Sequence, residues 1–519
     1  MRHVRWGLGL AIFAWTAPAS AQLPPIGVPR GMVRFDLGGG FSSADSRYLH
    51  GVEQDYGADW SGTLGTTALP ALAGAEAQIR QLTGNGSYRL SLGRSSVLAT
   101  YQEGRTVLGL SFGLTNAITI FGDVPIVRVR TQEVLRHDSA GANAGFNPAD
   151  PTFGTGAGQQ AAVTFFGQFN AALTTLQDNI ANGTYDADPA KKALALQTLA
   201  DGTALRDGLY GLISDPSTAS PVLPIANSAE GLAILGRVTS LEATLSNSLG
   251  VSGFSTVPDL PAQRFDSANF DDLLTNPFGP VGGLLFDGLV RNRQGDAEMG
   301  TTVTLLDRWH NDGRPGLRIA ATALVRLPTG IVPDPAVLFD RGTGDGQTDL
   351  EFHLATDLTA GRLGARISAM YNDQRPGTVE RRVTAPWAPI AWASTTAAMR
   401  WDPGNVMSVS VEPFFRLADG FALTAGATYW HHGTDQYAYA TPAAPGAPSA
   451  DLLALDTDAS ATLLRGGVLF ASTGARGGKG LPVEARWTYE MVASASGGRV
   501  DKTRHTAIEF RMYWKVFGR

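Results

Sequence analysis

From Ile508 to Val516 every second side chain is apolar (Ile508, Phe510, Met512, Trp514, Val516), and those between are Glu509, Arg511, Tyr513 and Lys515. Successive side chains leave a pleated strand on opposite faces, so a period of two describes a β-strand with one apolar and one polar face. The pattern recurs upstream. Leu481, Val483, Ala485, Trp487, Tyr489 and Met491 oppose Glu484, Arg486, Thr488 and Glu490; Leu363, Ala365, Ile367, Ala369 and Tyr371 oppose Arg362, Arg366 and Ser368. Ile319, Ala321, Ala323 and Val325 oppose Arg318, Thr322 and Arg326, and Leu350, Phe352 and Leu354 oppose Asp349, Glu351 and His353. These segments run about nine to thirteen residues, the length of a tilted strand that crosses hydrocarbon, whereas globular strands average about five or six. A soluble sandwich also alternates; the length and the charges of both signs on the polar face point instead to lipid on one side.

Beyond the N-terminal region no stretch holds eighteen apolar residues without a charge, so no helix is expected to cross a membrane. Lipid offers no partner to backbone N–H and C=O groups, which leaves a closed barrel as the spanning solution. The sequence therefore predicts an all-β fold, an antiparallel transmembrane β-barrel. Residues 1–21 read as a cleaved secretory signal: Arg2, His3 and Arg5 precede an apolar run from Trp6 to Trp15 and the small-x-small site Ala19-Ser20-Ala21. Export followed by barrel formation implies a bacterial outer membrane, with its lipid and the barrel assembly machinery as partners. The chain has no cysteine, so disulfides contribute nothing. A net charge of −6 with both signs interspersed leaves no basic stripe for nucleic acid.

Barrels of this kind have short periplasmic turns and longer external loops. Gly113-Leu114-Thr115-Asn116, Leu358-Thr359-Ala360-Gly361 and Leu417-Ala418-Asp419-Gly420 fit the former. Residues 135–294, 329–344 and 439–458 fit the latter, with tight external turns at Asn372 to Gly377 and at Asp402-Pro403-Gly404. This parity predicts about fourteen strands, within a range of about 12–16. They lie near 87–101, 105–113, 116–134, 295–308, 316–328, 346–357, 361–371, 378–384, 391–401, 405–416, 421–438, 459–472, 480–494 and 500–517. Pro125 and Pro413 fall inside strands of a sheet without edges, which predicts bulges. At Pro125 the apolar parity also switches, from Ile118, Ile120 and Val124 to Val127 and Val129. Trp309, Tyr371, Trp401, Trp430, Trp487 and Trp514 fit interfacial girdles.

The barrel thus occupies 87–134 and 295–519. Residues 22–86 are expected to lie inside or beneath it as a plug, although Val33, Phe35 and Leu37 alternate and Leu69 to Leu82 has helical spacing. Within the external insertion, 135–294, the period changes: Ala162, Phe165, Phe166, Phe169, Leu173, Leu176 and Ile180 recur at steps of three and four, one face of a helix. A second helix is predicted from Pro189 to Ile213, with Asp188 as N-cap, and a third from Ser228 to Leu249. Such an insertion is either a cap that shapes access to the lumen or a bundle that packs on itself.

Four blocks carry a family resemblance: Phe112-Gly113-Leu114-Thr115-Asn116 through Asp123-Val124-Pro125; Gln294-Gly295-Asp296-Ala297-Glu298; Arg326-Leu327-Pro328-Thr329-Gly330; and Gly342-Thr343-Gly344-Asp345-Gly346-Gln347-Thr348-Asp349. The chain from about residue 105 onward resembles the outer-membrane transporters assigned to the phenol-degradation meta-pathway, which are similar in architecture to the long-chain fatty acid channels. The resemblance implies uptake of small, often hydrophobic or aromatic solutes through the barrel. The helical insertion departs from the short loops of that family, and the ending Phe517-Gly518-Arg519 departs from its usual aromatic last residue.

The leading functional expectation is a channel whose lumen is lined by Arg318, Arg326, Asp349, Glu351, His353, Arg362, Arg366, Glu484, Arg486, Glu490, Glu509, Arg511 and Lys515. Mixed charges of this kind can hold a wet path or pair into a plug. A second possibility is a surface-interaction barrel whose insertion binds a partner. A third, an outer-membrane hydrolase, has His353 beside Asp349 and Glu351 but no Gly-x-Ser-x-Gly elbow. His431 and His432 are adjacent on a strand and so point to opposite faces, which argues against a shared metal. The residues suggest no cofactor.

Overall fold

A strand with an apolar and a polar face gains most by pairing along both edges, and here neighbours in sequence do so all the way round. The computed structural model describes residues 26–285, 290–309, 314–418, 420–472 and 482–517; the signal segment lies outside them. The wall consists of β1 (Met32–Ala44), β2 (Ser91–Gly113), β3 (Ile118–Asp138), β4 (Ala297–Arg308), β5 (Gly316–Leu327) and β6 (Asp349–Ala360). It continues through β7 (Leu363–Gln374), β8 (Val406–Ala418), β9 (Phe421–His432), β10 (Ala459–Ala471), β11 (Val483–Gly497) and β12 (Arg504–Lys515). Each pairs antiparallel with the next, and β12 pairs back onto β1 through Leu37↔Phe510. Of the 14 strands in this sheet these twelve close the ring; the other two, Gly62–Gly65 and Val290–Gln294, pair outside it with the upper parts of β2 and β3.

The closed antiparallel barrel agrees with the sequence reading, but its strands differ from the fourteen expected. Segments 87–101 and 105–113 are one strand, because the polar stretch Gln102 to Gly104 continues the ladder with β3 without a shift. Segments 378–384 and 391–401 leave the ring: Gly377–Arg382 and Thr396–Asp402 form a small sheet with Gln436–Tyr439 beyond the rim. Met32–Ala44, assigned to a plug, is the first wall strand. Its three consecutive glycines, Gly38 to Gly40, hid the alternation.

Neither proline makes the expected bulge. The β2–β3 register runs unbroken through Val107↔Pro125, and the β7–β8 register through Ala365↔Pro413. Each proline instead sits where the ladder on its other side is open. Pairing of β8 with β9 stops at Val411↔Ala427 and resumes in register at Phe414↔Thr424; β4 leaves β3 at Asp123 and Val290–Gln294 joins it at Ile126. A missing N–H therefore leaves no ladder partner unsatisfied.

At one rim lie both ends of the wall and the tight turns, including Gly361 with φ 59°. There the chain from Ile26 to Gly31 folds back inside the wall. Val28, buried, donates its N–H to Thr119 Oγ1 (2.7 Å) and packs on Tyr513. A Cβ at Gly113 would lie 2.0 Å from the carbonyl oxygen of Pro29, so only glycine admits this approach. Residues 26–31 thus lie within the wall, whereas β1 is part of it.

At the other rim β2 and β3 outrun their neighbours. β1 ends opposite Tyr101, and the part of β2 from Ser91 to Thr100 rises about 34 Å farther at ordinary strand rise. On this hairpin sit α1 (Ala73–Thr83), α2 (Gly156–Ala181), α3 (Pro189–Ile213), α4 (Ala229–Ala243) and α5 (Ser267–Thr275). Thr155, Asp188, Ser228 and Asp266 cap α2 to α5 by accepting first-turn N–H groups. α4 is shorter than predicted, because its last turn opens into a π-turn, Thr244–Ser248. One apolar cluster joins Ile79 of α1, Phe165, Phe169 and Leu176 of α2, Leu209 of α3 and Ile234 of α4 to Val97, Ala99, Val127 and Val129 of the hairpin. Leu338 and Ile390, from the β5–β6 and β7–β8 connections, belong to it too. The helices therefore pack both on themselves and on the rim hairpin.

Candidate functional site

The wall has two faces of opposite chemistry. Outward, Phe35, Leu37, Leu108, Leu110, Ile120, Phe352, Leu354, Val409, Val411, Leu423, Leu464, Ile508 and Phe510 are all exposed, and together they girdle the ring. A monomer in water rarely shows more than a few hundred Å² of contiguous apolar surface. Wall strands of 12 or 13 residues are about 40 Å long; tilted as in closed barrels they rise about 30 Å, the thickness of the hydrocarbon layer. This geometry defines a membrane-spanning barrel. Tyr371, Trp487 and Trp514 stand on the outer face as expected of girdle residues. Trp309, Trp401 and Trp430 do not: the first covers Arg318, the second stacks on Tyr437 outside the ring, and the third packs with Val492 and Val500.

On the opposite face charges are joined across strands. Arg366 grips Asp357 with two hydrogen bonds (2.6 and 2.9 Å). Arg318, buried, lies 3.5 Å from both Asp357 and Asp307, with its guanidinium 4.6 Å above the Trp309 ring. Toward the helical rim, Arg326 reaches Glu298 (3.0 Å), Asp349 (2.8 Å) and Glu351 (3.1 Å), while Asn372 donates to Asp349 (3.1 Å). Across the barrel, Arg486 and Arg465 share Glu412 (2.5 and 3.4 Å), and Arg465 also holds Glu490 (2.5 Å). A fourth group centres on Arg511, which lies 3.3 Å from Asp36, 3.7 Å from Glu509 and 3.9 Å from Glu484. Tyr513 donates to Glu484 (3.1 Å), and Arg34 pairs with Asp36 (2.9 Å). An unpaired charge in a low-dielectric wall is strongly unfavourable, and each arginine of these four groups is accompanied by a carboxylate.

Eleven of the thirteen sequence-selected residues join these groups, His353 through Glu351 (2.5 Å). Two do not. Arg362 lies in the turn after β6, and Lys515 is the exposed last residue of β12. Arg34, Asp36, Glu298, Asp307, Asp357, Glu412 and Arg465 were missed. Asp357 shares the parity of Asp349, Glu351 and His353 on β6, so extending the alternation would have found it; Glu412 lies on β8, where no residue had been selected, and Arg34 and Asp36 lay in the strand mistaken for a plug.

His353, Asp349 and Glu351, the residues considered for a hydrolase, are held in the Arg326 cluster. His431 Nδ1 lies 3.0 Å from Ser460 Oγ, and His432 Nδ1 lies 3.0 Å from the Thr457 carbonyl, so the two rings take different partners.

Above Arg326 a cavity of about 510 Å³ leads toward the cap, lined by Tyr101, Glu103, Arg105, Asp296, Arg326, Arg341, Asp345, Arg381 and Trp401 among others. Arg341, from the β5–β6 connection, donates to the hydroxyl of Tyr56 and to Asp501, and its guanidinium lies 4.7 Å from the Tyr101 ring centre. One side chain thus ties three other parts of the chain together over the mouth. Burial pushes the Tyr56 hydroxyl above its ordinary range, so it stays neutral. Burial likewise raises the Asp345 carboxyl, helped by Asp349 and Asp296 and opposed by its bond from the Gln347 N–H.

A scan against protein-family models finds no match, and no curated protein matches. Among solved structures the chain is similar to an outer membrane channel from Pseudomonas putida F1, at 9% identity over 95% of this chain and 100% of that one, with a TM-score of 0.42. It is also similar to the transport unit of the autotransporter AIDA-I from Escherichia coli (7% identity, 94% and 93% covered, TM-score 0.31). A third is the toluene transporter TodX from Pseudomonas putida (10% identity, 95% and 90% covered, TM-score 0.26). At these scores the likenesses add nothing to the architecture that the strand pairing establishes.

Proposed function

We propose that this chain is an outer-membrane channel, not an enzyme, that admits small hydrophobic or aromatic solutes from a capped outer mouth into a charged bore. The observation that carries this reading is the inversion of the wall: apolar side chains exposed outside, paired charges within. A barrel folded for water would reverse them. The sequence blocks that resemble those of phenol-degradation transporters suggest the solute class, and the cavity above Arg326 would supply a route between cap and bore. Arg318, Arg326, Asp349, Glu351, His353, Arg366, Glu484, Arg486, Glu490, Glu509 and Arg511 would line that bore, together with Asp357, Glu412 and Arg465. The tight-turn rim would face the periplasm and the cap the exterior, as in barrels of this class. Purified chain in planar bilayers and in liposomes tests the proposal: ion current and uptake of a phenol-class solute are expected, and absence of both overturns it.

A second reading, a surface-interaction barrel, is favoured by Val163, Leu196 and Leu232, which stand exposed on α2, α3 and α4. Replacing residues 139–289 by a short linker separates the two. A wider, more conductive mouth supports the channel; unchanged current with loss of a binding partner supports the alternative.

A further inference from the structure

The outward face of the β2–β3 hairpin continues past the rim without a break, and its chemistry changes abruptly. Below, it presents Leu108, Leu110, Ile120, Val124 and Ile126, all exposed. Two and four residues beyond Ile126 come Arg128 and Arg130, both exposed. Their neighbours on one side are Gly104 and Gln102 of β2, and on the other Asn292 and Val290. Glu103 and Glu133 belong to the opposite parity, and between Ile126 and Arg136 this face carries no carboxylate. Among the described residues neither Arg128 nor Arg130 forms an ion pair, in a molecule that pairs nearly every arginine of its inner wall. The reverse of the same strands is covered, since Val127 and Val129 are buried in the cap cluster. Among the described residues nothing covers the arginine face.

Position identifies what would meet it. At about 3.4 Å per residue and barrel tilt, Arg128 and Arg130 stand about 5 and 10 Å above the last lipid-facing residue. A bilayer's polar layer extends about 5–8 Å beyond the hydrocarbon on each side, so the backbone of Arg128 stands within it and that of Arg130 just above it, with the guanidinium in reach of the layer. Phosphates lie in that layer, and guanidinium forks match phosphate geometry. We propose that Arg128 and Arg130 form a binding site for the phosphate groups of outer-leaflet lipid, fixing the foot of the hairpin, and with it the cap, at the headgroup plane. The inference rests on the outer-membrane reading above but is independent of what the bore carries.

The full chain in phosphatidylcholine nanodiscs, titrated with bisphosphorylated lipid A, tests it. Tight binding is expected for the native chain, and a loss of roughly thirtyfold in Arg128→Gln/Arg130→Gln. Arg94→Gln/Arg136→Gln, placed higher on the same face, should bind as the native chain does. The native chain should also bind dephosphorylated lipid A as weakly as the double variant binds the phosphorylated form, a comparison that needs no variant to fold. Equal affinity for both lipids, an unchanged double variant, or equal loss in the Arg94/Arg136 control would each overturn the site while leaving the channel proposal standing. A chain that fails to insert into the nanodisc would remove both.

Discussion

The lower and upper halves of the β2–β3 hairpin are one pair of strands in one register, from Gly113↔Thr119 to Arg94↔Asp138, yet their faces are reversed. Below the rim the outward residues are apolar and exposed, and the inward ones include Ser111 and Asp123. Above it the inward residues Val97, Ala99, Val127 and Val129 are buried, and the outward Arg128, Arg130 and Arg136 are exposed. Backbone geometry is common to both halves, so the difference lies in the medium. Where lipid is outside, the outward residues are apolar; where helices cover the inside and water or headgroups lie outside, the buried apolar residues point in, while Leu98 and Val134 stay outward among polar neighbours. Along β3 the change begins between Ile126 and Val127, and it needs no extra residue.

The comparison is tested most severely where the upper half depends on its cover. Phe169 is fully buried, stacked on Phe254 at 4.6 Å between ring centres. Phe169→Ala should destabilise the cap by about 3–5 kcal/mol, as large core truncations do. Limited proteolysis should then cut within 139–289 while the wall keeps its heat-modifiable gel mobility; joint collapse of both would show that the halves are not separate in stability. A finer contrast uses one strand and one face. Leu110 is 50% exposed and Leu98 63% exposed, and burial alone would call them equivalent. If lipid surrounds only the lower half, Leu110→Arg should lower unfolding free energy in phospholipid vesicles by about 2–4 kcal/mol, and Leu98→Arg by less than about 0.5 kcal/mol. Equal effects would erase the distinction.

This reversal also explains what the sequence could and could not reveal. Alternation in β5 to β7, β11 and β12 exposed both faces directly, because each lies wholly within one medium. In β3 the switch from Ile118, Ile120 and Val124 to Val127 and Val129 was visible, but its attribution to a bulge assumed one solvent along the whole strand. β1 was obscured by Gly38 to Gly40, which carry no polarity to alternate. The hairpin Gly377–Arg382 and Thr396–Asp402 alternates well enough to pass for wall; only pairing reveals that its neighbour is Gln436–Tyr439. The ion-pair partners were legible as a parity, not as contacts. Which carboxylate meets which guanidinium depends on the register between strands, and nothing local encodes it.

Where the halves meet, Arg341 holds the mouth connections together. Arg341→Gln would leave the buried Tyr56 hydroxyl without its donor and release Asp501, with a loss of about 1–2 kcal/mol. The expected signature is a larger open-channel current with the wall's own melting unchanged. Unchanged current would show that the mouth is set by the cap's apolar contacts alone.

The smallest effect is expected at Asp345, beneath that tie. Its carboxyl titrates above the ordinary aspartate range because burial, and then Asp349 and Asp296, disfavour the charge. The folded chain therefore holds this proton more tightly than the unfolded one, and stability falls as pH rises from the ordinary range through the raised value. Asp345→Asn, which keeps an acceptor for the Gln347 N–H (2.9 Å), removes that penalty. It should leave melting unchanged near pH 3 and raise stability at pH 7 by less than about 1 kcal/mol. A gain of the same size at both pH values would mean that the carboxylate is solvated, and that the mouth beside Arg326 is as wet as the water above it.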